Sequence, residues 1–347
     1  MDNKAFLMKL CSVPGATGWE RDVSALVASQ FRRYTDDVWT DSFFNTCARM
    51  GTKGRLRVLV VSHIDQVALM VTHIHDDGFL GFARIGGIDP RILPAQEVWV
   101  HGTEPLLGVI GAKPPHVLTP DERKKTIPVE DLCIDIGFDA AQARSRVRVG
   151  DIVTFNSPVR EMAGGEALCG AALDDRAGVA VMCEAMRRLR DVQLYPEVVF
   201  VAGTREETGA SGIEGLAYRE GFDLAVVMDV THAETPDTPP FRAYPLDRLC
   251  ITVGPRPSRS LSDRLQSVAR EEGVAFTLSV SGRWTGTDGD SLQAVRDGLP
   301  FCLIEFPLRY MHTTVELLRW DVLSEAGRLL AAFLRSIGEG WEEWLCC

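Results

Sequence analysis

The chain has 347 residues, of which 46% are hydrophobic, and this is enough to bury a large core. Single cores rarely grow beyond about 250–300 residues, so we expect two domains. Lys and Arg total 37 against 48 Asp and Glu, and the resulting net charge of −11 argues against nucleic acids and anionic membranes as partners. Clustered acidic residues are better suited to binding divalent cations.

The sequence predicts neither a membrane span nor a disulfide framework. Its first apolar stretch is short and interrupted by Lys9, and no later segment approaches the ~20 apolar residues of a membrane-spanning helix. Nine cysteines are scattered between Cys11 and Cys347 without a Cys-x-x-Cys pair, unlike the spacing of a structural zinc site. We therefore expect a cytoplasmic protein in a reducing compartment.

Hydrophobic periodicity divides the chain into alternating helices and strands and one β-rich segment. In chain order the patterns predict helices Ala5–Leu10 and Glu20–Tyr34, the buried strand Arg57–Ser62, the short β runs Val67–His73, Glu97–Val100, Leu107–Ile110 and Ile152–Phe155, the helix Arg176–Arg190, the strands Val198–Ala202 and Leu224–Met228, the helix Ser260–Glu272, the strand Phe301–Phe306 and the helix Asp321–Leu334. Alternating strands and helices predict an α/β architecture. The β runs predict a separate module, residues 67–165, inserted into a discontinuous domain of residues 1–66 and 166–347.

Glu206 and Glu207 are adjacent carboxylates that closely follow the predicted strand Val198–Ala202. On an extended backbone, neighbouring side chains point in different directions. One carboxylate can therefore bind a cation while the other faces the water that the cation activates. The alternative is a solvated pair at a strand-to-loop boundary, so other residues must decide between the two interpretations.

Other potential metal ligands also lie at the ends of apolar elements. They are His63 with Asp65 after the first buried strand, Asp174 before a helix, Asp229 at the end of a strand, and His312 after Phe301–Tyr310. In an open α/β sheet, side chains at the carboxyl ends of strands converge on one site. Imidazoles mixed with carboxylates suit Zn²⁺ and other first-row divalent ions, whereas oxygen ligands alone favour Mg²⁺ or Ca²⁺. These residues alone predict a metal-dependent hydrolase.

A series of short motifs extends along nearly the whole chain. The motifs are Pro14-Gly-Ala-Thr-Gly-Trp-Glu20, His63-Ile-Asp65, Ile85-Gly-Gly87, Lys113-Pro-Pro-His116, Asp135-Ile-Gly137, Ala172-Leu-Asp-Asp-Arg-Ala-Gly178, Glu206-Glu207, Asp229-Val-Thr-His-Ala233, Thr287-Asp288 and Arg309-Tyr-Met-His312. Their order resembles the M42 family of metallo-aminopeptidases. The resemblance implies a peptidase domain with a central mixed sheet flanked by helices. It also implies an inserted β-barrel-like domain that mediates contacts in a homo-oligomer, with a dodecamer as the expected assembly.

The resemblance also implies a ligand set for two divalent ions per subunit. Asp174 would bridge the ions, His63 and Asp229 would complete one side, and Glu207 with His312 would complete the other. The expected metal is Zn²⁺, with Co²⁺ or Mn²⁺ as alternatives.

The implied reaction is hydrolysis of amino-terminal residues from peptides with free amino termini. Glu206 would act as the general base on a metal-activated water. Asp65 would orient the ring of His63 and so decide which imidazole nitrogen faces the metal. The resemblance further implies a cis peptide bond between Asp174 and Asp175.

The sequence departs from the family pattern at Gln66, where many members have Glu after the His-x-Asp motif. This lost charge leaves the implied ligands intact but alters the electrostatics of the site. Thr287 and Asp288 match the family's Thr-Asp signature and are candidates for binding substrate, although a turn-stabilising role explains them equally well. His116 is a further candidate from the insertion, with loop packing as its alternative.

Two other function classes stay open. A glycoside hydrolase would use its carboxylates on opposite sides of the scissile bond, about 5–9.5 Å apart, which adjacent Glu206 and Glu207 satisfy poorly. A non-catalytic scaffold would bind metal without turnover. Activity and metal measurements distinguish both from an aminopeptidase.

Overall fold

The computed structural model describes residues 2–53, 56–239 and 242–344, so the carboxyl-terminal Cys346 and Cys347 lie outside the described residues. The helices are α1 (Asn3–Cys11), α2 (Arg21–Phe31), α3 (Ala140–Arg146), α4 (Leu173–Leu189), α5 (Ser211–Glu220), α6 (Arg259–Glu271), α7 (Asp288–Leu292) and α8 (Trp320–Ser336). The strands are β1 (Val38–Thr40), β2 (Thr46–Gly51), β3 (Arg57–His63), β4 (Ala68–Ile74), β5 (Leu80–Ile85), β6 (Glu97–His101), β7 (Pro105–Ile110), β8 (Ile134–Asp135), β9 (Ile152–Phe155), β10 (Arg160–Glu161), β11 (Ala167–Gly170), β12 (Glu197–Gly203), β13 (Leu224–His232), β14 (Leu249–Val253), β15 (Phe276–Val280), β16 (Phe301–Leu308) and β17 (Glu316–Arg319).

The largest sheet has eight strands in the order β1-β2-β12-β3-β13-β16-β14-β15. The neighbouring strands β12, β3, β13 and β16 run parallel. Strands β2 and β14 pair with this parallel block in the antiparallel direction. The sheet is therefore mixed, and the carboxyl ends of its central strands meet at one edge.

Alternating side chains of β3 explain why helices cover both faces of this sheet. Val58 and Val60 belong to the hydrophobic core that includes α1, α2, α4, α6 and α8. Leu59 and Val61 point to the opposite core, which α5 and α7 help to form. Successive strand residues point to opposite faces, so a strand that is apolar throughout is buried on both sides.

The segment that follows β3 forms a closed barrel in the strand order β4-β5-β8-β7-β6-β9. Its interior is a separate hydrophobic core that contains Leu69, Phe82, Val98 and Val153. The prediction of an α/β protein with an inserted β-barrel-like module is confirmed. The exact domain boundaries, at 66/67 and 165/166, stay a prediction.

A small third sheet joins the end of the insertion to the carboxyl-terminal part of the chain. It has the antiparallel order β10-β11-β17. Within it, Glu316 is the register partner of Gly170, shortly before Asp174 in sequence. This pairing brings the start of β17 next to the start of α4. No helix within the described ranges is both long and apolar enough to span a membrane.

Candidate metal centre

The predicted ligands converge at the edge where the central parallel strands end. His63 is the last residue of β3, and Glu207 follows β12 in a short 3₁₀ turn. His312 follows β16, and Asp229 lies within β13. Since these strands are parallel neighbours, their carboxyl ends bring side chains from distant parts of the sequence into one site.

The carboxylate of Asp174 divides these residues into two groups. Its Oδ1 atom lies 3.2 Å from Nε2 of His63, which is also 3.9 Å from Oδ1 of Asp229. Its Oδ2 atom lies 3.2 Å from Nε2 of His312, which is also 3.4 Å from Oε2 of Glu207. Asp174 therefore offers one oxygen to each group, as a bridging ligand requires.

The spacing and chemistry of both groups fit divalent cations. In each group, one donor atom per side chain lies within 4.8 Å of the other two. Ligands placed tetrahedrally around Zn²⁺ at normal bond lengths lie about 3.3 Å from one another. The four separations around Asp174, between 3.2 and 3.9 Å, are close to this value. All five predicted ligands thus lie together.

The backbone at the start of α4 is shaped to present Asp174. The peptide bond between Asp174 and Asp175 is cis, as the resemblance predicts. Both residues have non-helical backbone angles. Asp175 accepts hydrogen bonds from the hydroxyl of Ser62 at 2.7 Å and from the backbone N–H of Gly178 at 3.2 Å. These contacts turn the second aspartate away from the bridging position and tie it to β3.

Glu206 and Glu207 lie in a 3₁₀ turn, so the extended backbone predicted for this pair is wrong. Strand β12 ends at Gly203, and Arg205, which precedes the pair, has a φ of 66°, a left-handed conformation outside the β region. Adjacent side chains in a 3₁₀ turn still point in different directions.

Asp65 holds this turn in place. It is fully buried and accepts hydrogen bonds from the backbone N–H groups of Glu206 at 3.2 Å and Glu207 at 3.3 Å. It also accepts a hydrogen bond from the hydroxyl of Thr17 at 2.7 Å.

Both imidazole rings are oriented through their Nδ1 atoms. In His63, Nδ1 lies 3.1 Å from the carbonyl oxygen of Asp65 and 3.5 Å from its carboxylate. In His312, Nδ1 lies 2.9 Å from the carbonyl oxygen of Gly87, which follows β5 of the barrel. An Nδ1–H that donates to such an acceptor leaves the Nε2 lone pair available to a metal ion.

The side chains of the centre have shifted pKa values. Burial, with the charge of Asp174 in addition, raises the pKa of Glu207 to about 8. Burial and then the charge of Asp175 raise the pKa of Asp229 well above its usual range. Burial alone would lower the pKa of His312, but the hydrogen bond to Asp174 and the charge of Glu207 raise it to about 10. The centre concentrates buried negative charge that bound cations would compensate.

Asp229 does not end its strand, so that part of the prediction is wrong. Strand β13 continues to His232 because it pairs with β16 over its whole second half. Asp229 nevertheless reaches the centre, because the register that pairs Val227 with Val61 brings it level with His63 at the end of β3.

The predicted substrate-binding residues lie in different surroundings. Thr287 is the N-cap of α7, where its hydroxyl accepts a hydrogen bond from the backbone N–H of Gly289. Asp288 is 3% exposed, and its Oδ1 atom has no hydrogen-bond partner among the described residues. His116 is exposed in the turn Pro115–Val117, between β7 and β8 in the chain.

Sequence patterns did not identify two groups that contact the predicted ligands. One is the carbonyl of Gly87, although its Ile-Gly-Gly motif stood out. The other is the carboxylate of Glu316, which accepts hydrogen bonds from the backbone of residues 173, 174 and 312. Its only sequence signal is an acidic residue four positions after His312. The contact depends on the pairing of β11 with β17, which no local pattern reveals.

Comparison with known proteins identifies the family. A model of the M42 glutamyl aminopeptidase family matches residues 45–329. The chain is 30% identical over 344 residues to the putative aminopeptidase SgcX of Escherichia coli K12, covering 94% of this chain and 91% of that relative.

Solved structures extend this similarity to the whole fold. The TET aminopeptidase of the marine sediment archaeon Thaumarchaeota archaeon SCGC AB-539-E09 superposes with a TM-score of 0.94 at 30% identity, covering 99% of this chain and 98% of that one. The TET1 peptidase of Pyrococcus horikoshii gives a TM-score of 0.86 at 29% identity, covering 97% of this chain and 100% of that one. The chain therefore belongs to the M42 family of aminopeptidases, metal-dependent hydrolases that act on peptide bonds.

Proposed function

We propose that this aminopeptidase uses two divalent ions, preferably Zn²⁺, with Co²⁺ or Mn²⁺ as alternatives. His63, Asp174 and Asp229 would hold one ion, and Asp174, Glu207 and His312 the other. The observation that carries this proposal is the Asp174 carboxylate, whose two oxygens each lie 3.2 Å from a different imidazole. Mixed nitrogen and oxygen donors favour first-row divalent ions. Three protein ligands per ion are typical of catalytic zinc sites, which keep a position for water or substrate.

Glu206 is the general base in this proposal. When bound, the ions would lower the pKa of a water molecule and polarise the scissile carbonyl group. Glu206 adjoins Glu207 in the same turn, yet it belongs to neither group of metal-binding residues. Its carboxylate is therefore free to accept the proton of the attacking water and to transfer it to the leaving amine. Asp65 would position this turn and the ring of His63.

Removal of a single amino-terminal residue requires recognition of the free α-amino group. Asp288 is our candidate for this contact, because its buried Oδ1 atom has no partner among the described residues and its carboxylate lies against the end of β12. Burial and then the charge of Glu206 raise the pKa of Asp288 well above its usual range, consistent with a position near the general base. Thr287 would shape the same pocket, and His116 would contact substrate from an exposed turn.

The direct test is hydrolysis of a panel of aminoacyl-anilides and peptides with free amino termini. The protein is assayed as purified, after chelation, and after addition of Zn²⁺, Co²⁺ or Mn²⁺. We expect metal-restored release of single amino-terminal residues, with no cleavage of amino-terminally acetylated peptides. His63→Ala and His312→Ala should both weaken metal retention.

The same assay separates the other function classes. Cellulose cleavage that resists chelation would support a glycoside hydrolase, in which the histidines of the centre would have no role. Bound metal without hydrolysis of any substrate in the panel would support a non-catalytic scaffold. Neither alternative accounts for a general-base candidate held beside two groups of metal-binding side chains.

We further propose that the protein is a cytoplasmic homo-oligomer, and specifically a dodecamer. Support comes from its similarity to the TET1 peptidase of Pyrococcus horikoshii, which can assemble into a tetrahedron or a large octahedral shell. A dodecamer is the assembly that tetrahedral rotational symmetry produces from one chain. The insertion of residues 67–165 would supply contacts, and it exposes the apolar side chains of Leu107 and Val109 on β7. Analytical ultracentrifugation tests this assembly.

A further inference from the structure

Glu316 connects the two segments that carry the bridging ligand and its histidine partner. Its Oε2 atom accepts hydrogen bonds from the backbone N–H groups of Leu173 at 2.8 Å and Asp174 at 3.3 Å. Its Oε1 atom accepts a hydrogen bond from the backbone N–H of His312 at 3.0 Å. One carboxylate therefore contacts the backbone of Asp174 and His312 through different oxygens.

The surroundings of Glu316 leave little freedom to this arrangement. The residue is 2% exposed and begins β17, where pairing with Gly170 of β11 fixes its position. Its partners are backbone groups at two irregular sites. His312 has a φ of 58°, and Asp174 has non-helical angles beside a cis peptide bond. The carboxylate of Glu316 thus binds backbone N–H groups at two places where the chain departs from regular backbone angles.

The chemistry of the contact requires two acceptor atoms on one side chain. All three contacts use the oxygens of Glu316 as acceptors, whereas the amide of glutamine replaces one oxygen with an N–H₂ donor. That donor would face a backbone N–H, either at His312 or at the start of α4. Substitution by glutamine would thus break the contact with one of the two segments while preserving the size of the side chain.

We infer that Glu316 is a positioning residue that fixes the distance between Asp174 and His312, and thereby the metal position that these residues share with Glu207. The inference rests on the proposed two-metal function. It also predicts an asymmetry, because the hydrogen bonds of Glu316 within the described part of the chain go to Leu173, Asp174 and His312 and not to His63 or Asp229. Loss of the contact should weaken the ion beside His312 more than the ion beside His63.

A simple structural role makes a different prediction. Glu316 accepts hydrogen bonds near the start of α4, so its loss could lower stability without a particular effect on metal. Glu197 provides the matched control. It is also buried, at 5% exposure, and pairs with Arg49 at 3.1 Å and Arg57 at 3.0 Å at the amino-terminal end of β12. Glu197→Gln therefore disturbs a buried glutamate at the opposite end of the sheet.

The experiment compares the full-length wild-type protein, Glu316→Gln and Glu197→Gln after removal of metal. Each protein is titrated with Co²⁺ in competition with a chromophoric chelator, and its visible absorption spectrum and thermal midpoint are recorded. The absorption of bound Co²⁺ reports its coordination geometry. We expect Glu316→Gln to bind one of two ions roughly 10–100-fold more weakly, with a changed spectrum. Glu197→Gln should lower the thermal midpoint and leave affinity and spectrum unchanged.

The ion that Glu316→Gln binds more weakly should be the ion that His312→Ala binds more weakly, and not the one affected in His63→Ala. Unchanged affinity and spectrum in Glu316→Gln, with two ions bound by the wild type, would overturn the assignment of Glu316 alone. Wild-type protein that binds no Co²⁺ would overturn the proposed function and this assignment with it. An equal loss of metal affinity in Glu197→Gln would show that Glu316 contributes only to the general stability of the fold.

If Glu316→Gln does not fold, Glu316→Asp is measured instead, because aspartate keeps the carboxyl group on a shorter side chain. Wild-type metal affinity in Glu316→Asp would contradict the inference.

Discussion

The Nδ1 atom of His312 lies 2.9 Å from the carbonyl oxygen of Gly87. His312 follows a strand of the main sheet, whereas Gly87 follows a strand of the barrel. The insertion is thus in direct contact with a side chain that we assign to metal binding, and its role extends beyond any contact between subunits. Such hydrogen bonds to the distal nitrogen of a ligand histidine commonly affect metal affinity.

Gly87→Ala should therefore weaken metal binding without unfolding the barrel. A β-carbon at residue 87 would lie 3.0 Å from Nδ1 of His312, so the ring would have to shift from its position. We expect a roughly tenfold loss of affinity for one ion, measured by chelator competition. Gly111→Ala is the control, because a β-carbon there meets no atom within 4 Å. Equal metal affinity in both variants would contradict this role of Gly87.

Gln66→Glu should strengthen metal binding. Gln66 is buried and lines a small cavity of about 10 Å³ together with Asp174 and Glu207. A carboxylate at this position adds negative charge next to the centre, and negative charge near a metal site attracts cations. We therefore expect roughly tenfold tighter binding of Zn²⁺ or Co²⁺. The metal-free protein should become less stable, because like charges are then closer together.

Gln30→Glu separates this effect from the general consequences of a buried charge. Gln30 is 5% exposed within α2 and donates a hydrogen bond to Tyr34. The variant should lower the thermal midpoint and leave metal affinity at the wild-type value. A local electrostatic role for residue 66 would be contradicted by tighter metal binding in Gln30→Glu. It would also be contradicted if Gln66→Glu bound metal no more tightly than the wild type.

Asp65→Asn should reduce turnover by misplacing Glu206. The substitution exchanges one acceptor oxygen for a donor that faces the backbone N–H of Glu206 or of Glu207, whichever oxygen is replaced. We expect kcat/KM to fall roughly 10–100-fold. Thr17→Ser keeps the hydroxyl that Asp65 accepts from and should retain most activity. Peptidase kinetics at saturating Zn²⁺ provide the measurement, and full activity in Asp65→Asn would refute the positioning role.

Arg176→Met should strongly reduce stability. The guanidinium of Arg176 is fully buried and donates to the carbonyl oxygens of Leu10 at 2.6 Å, Val13 at 2.8 Å and Ile64 at 3.0 Å. Removal takes the guanidinium donor from three carbonyl oxygens, of which those of Leu10 and Ile64 are in buried contacts, so we expect a loss of about 3 kcal/mol or more in the free energy of unfolding. Urea denaturation measures this loss.

Arg188→Met is the comparison on the same helix. Arg188 is partly exposed and pairs with Glu184 at 2.7 Å, and such surface ion pairs contribute about 0–1 kcal/mol. A similar loss of stability in both variants would show that the buried carbonyl contacts of Arg176 have no special importance.

Local sequence patterns predict the central strands and long helices well, because their apolar runs are continuous or regularly spaced. Strands β14 and β15 were not predicted, since Thr and Ser interrupt their apolar residues and they lack the continuous apolar runs that mark the central parallel strands. The extended backbone at Glu206 was wrong because Arg205 adopts a left-handed conformation. Asp229 lies inside its strand because pairing with β16 lengthens β13, and this depends on tertiary contacts.

The grouping of the metal ligands could be predicted from strand ends and motif order, but the contacts that orient them could not. Asp65 lies two residues from His63, so its role is visible in the sequence. The carboxylate of Glu316 reaches Asp174 from a distant part of the chain, and the carbonyl of Gly87 reaches His312 in the same way. Only the folded arrangement of β17 and the barrel makes these contacts.

The central claim is that two ions form the reactive centre and Glu206 serves as its base. The most direct measurement titrates metal-free wild-type protein and Glu206→Gln with Zn²⁺ and records bound metal and peptide hydrolysis in the same samples. We predict two bound equivalents in both proteins, activity in the wild type that depends on this occupancy, and a loss of roughly 10²–10⁴-fold in kcat for Glu206→Gln. Wild-type activity in Glu206→Gln, or full activity without bound metal, would contradict the proposed mechanism.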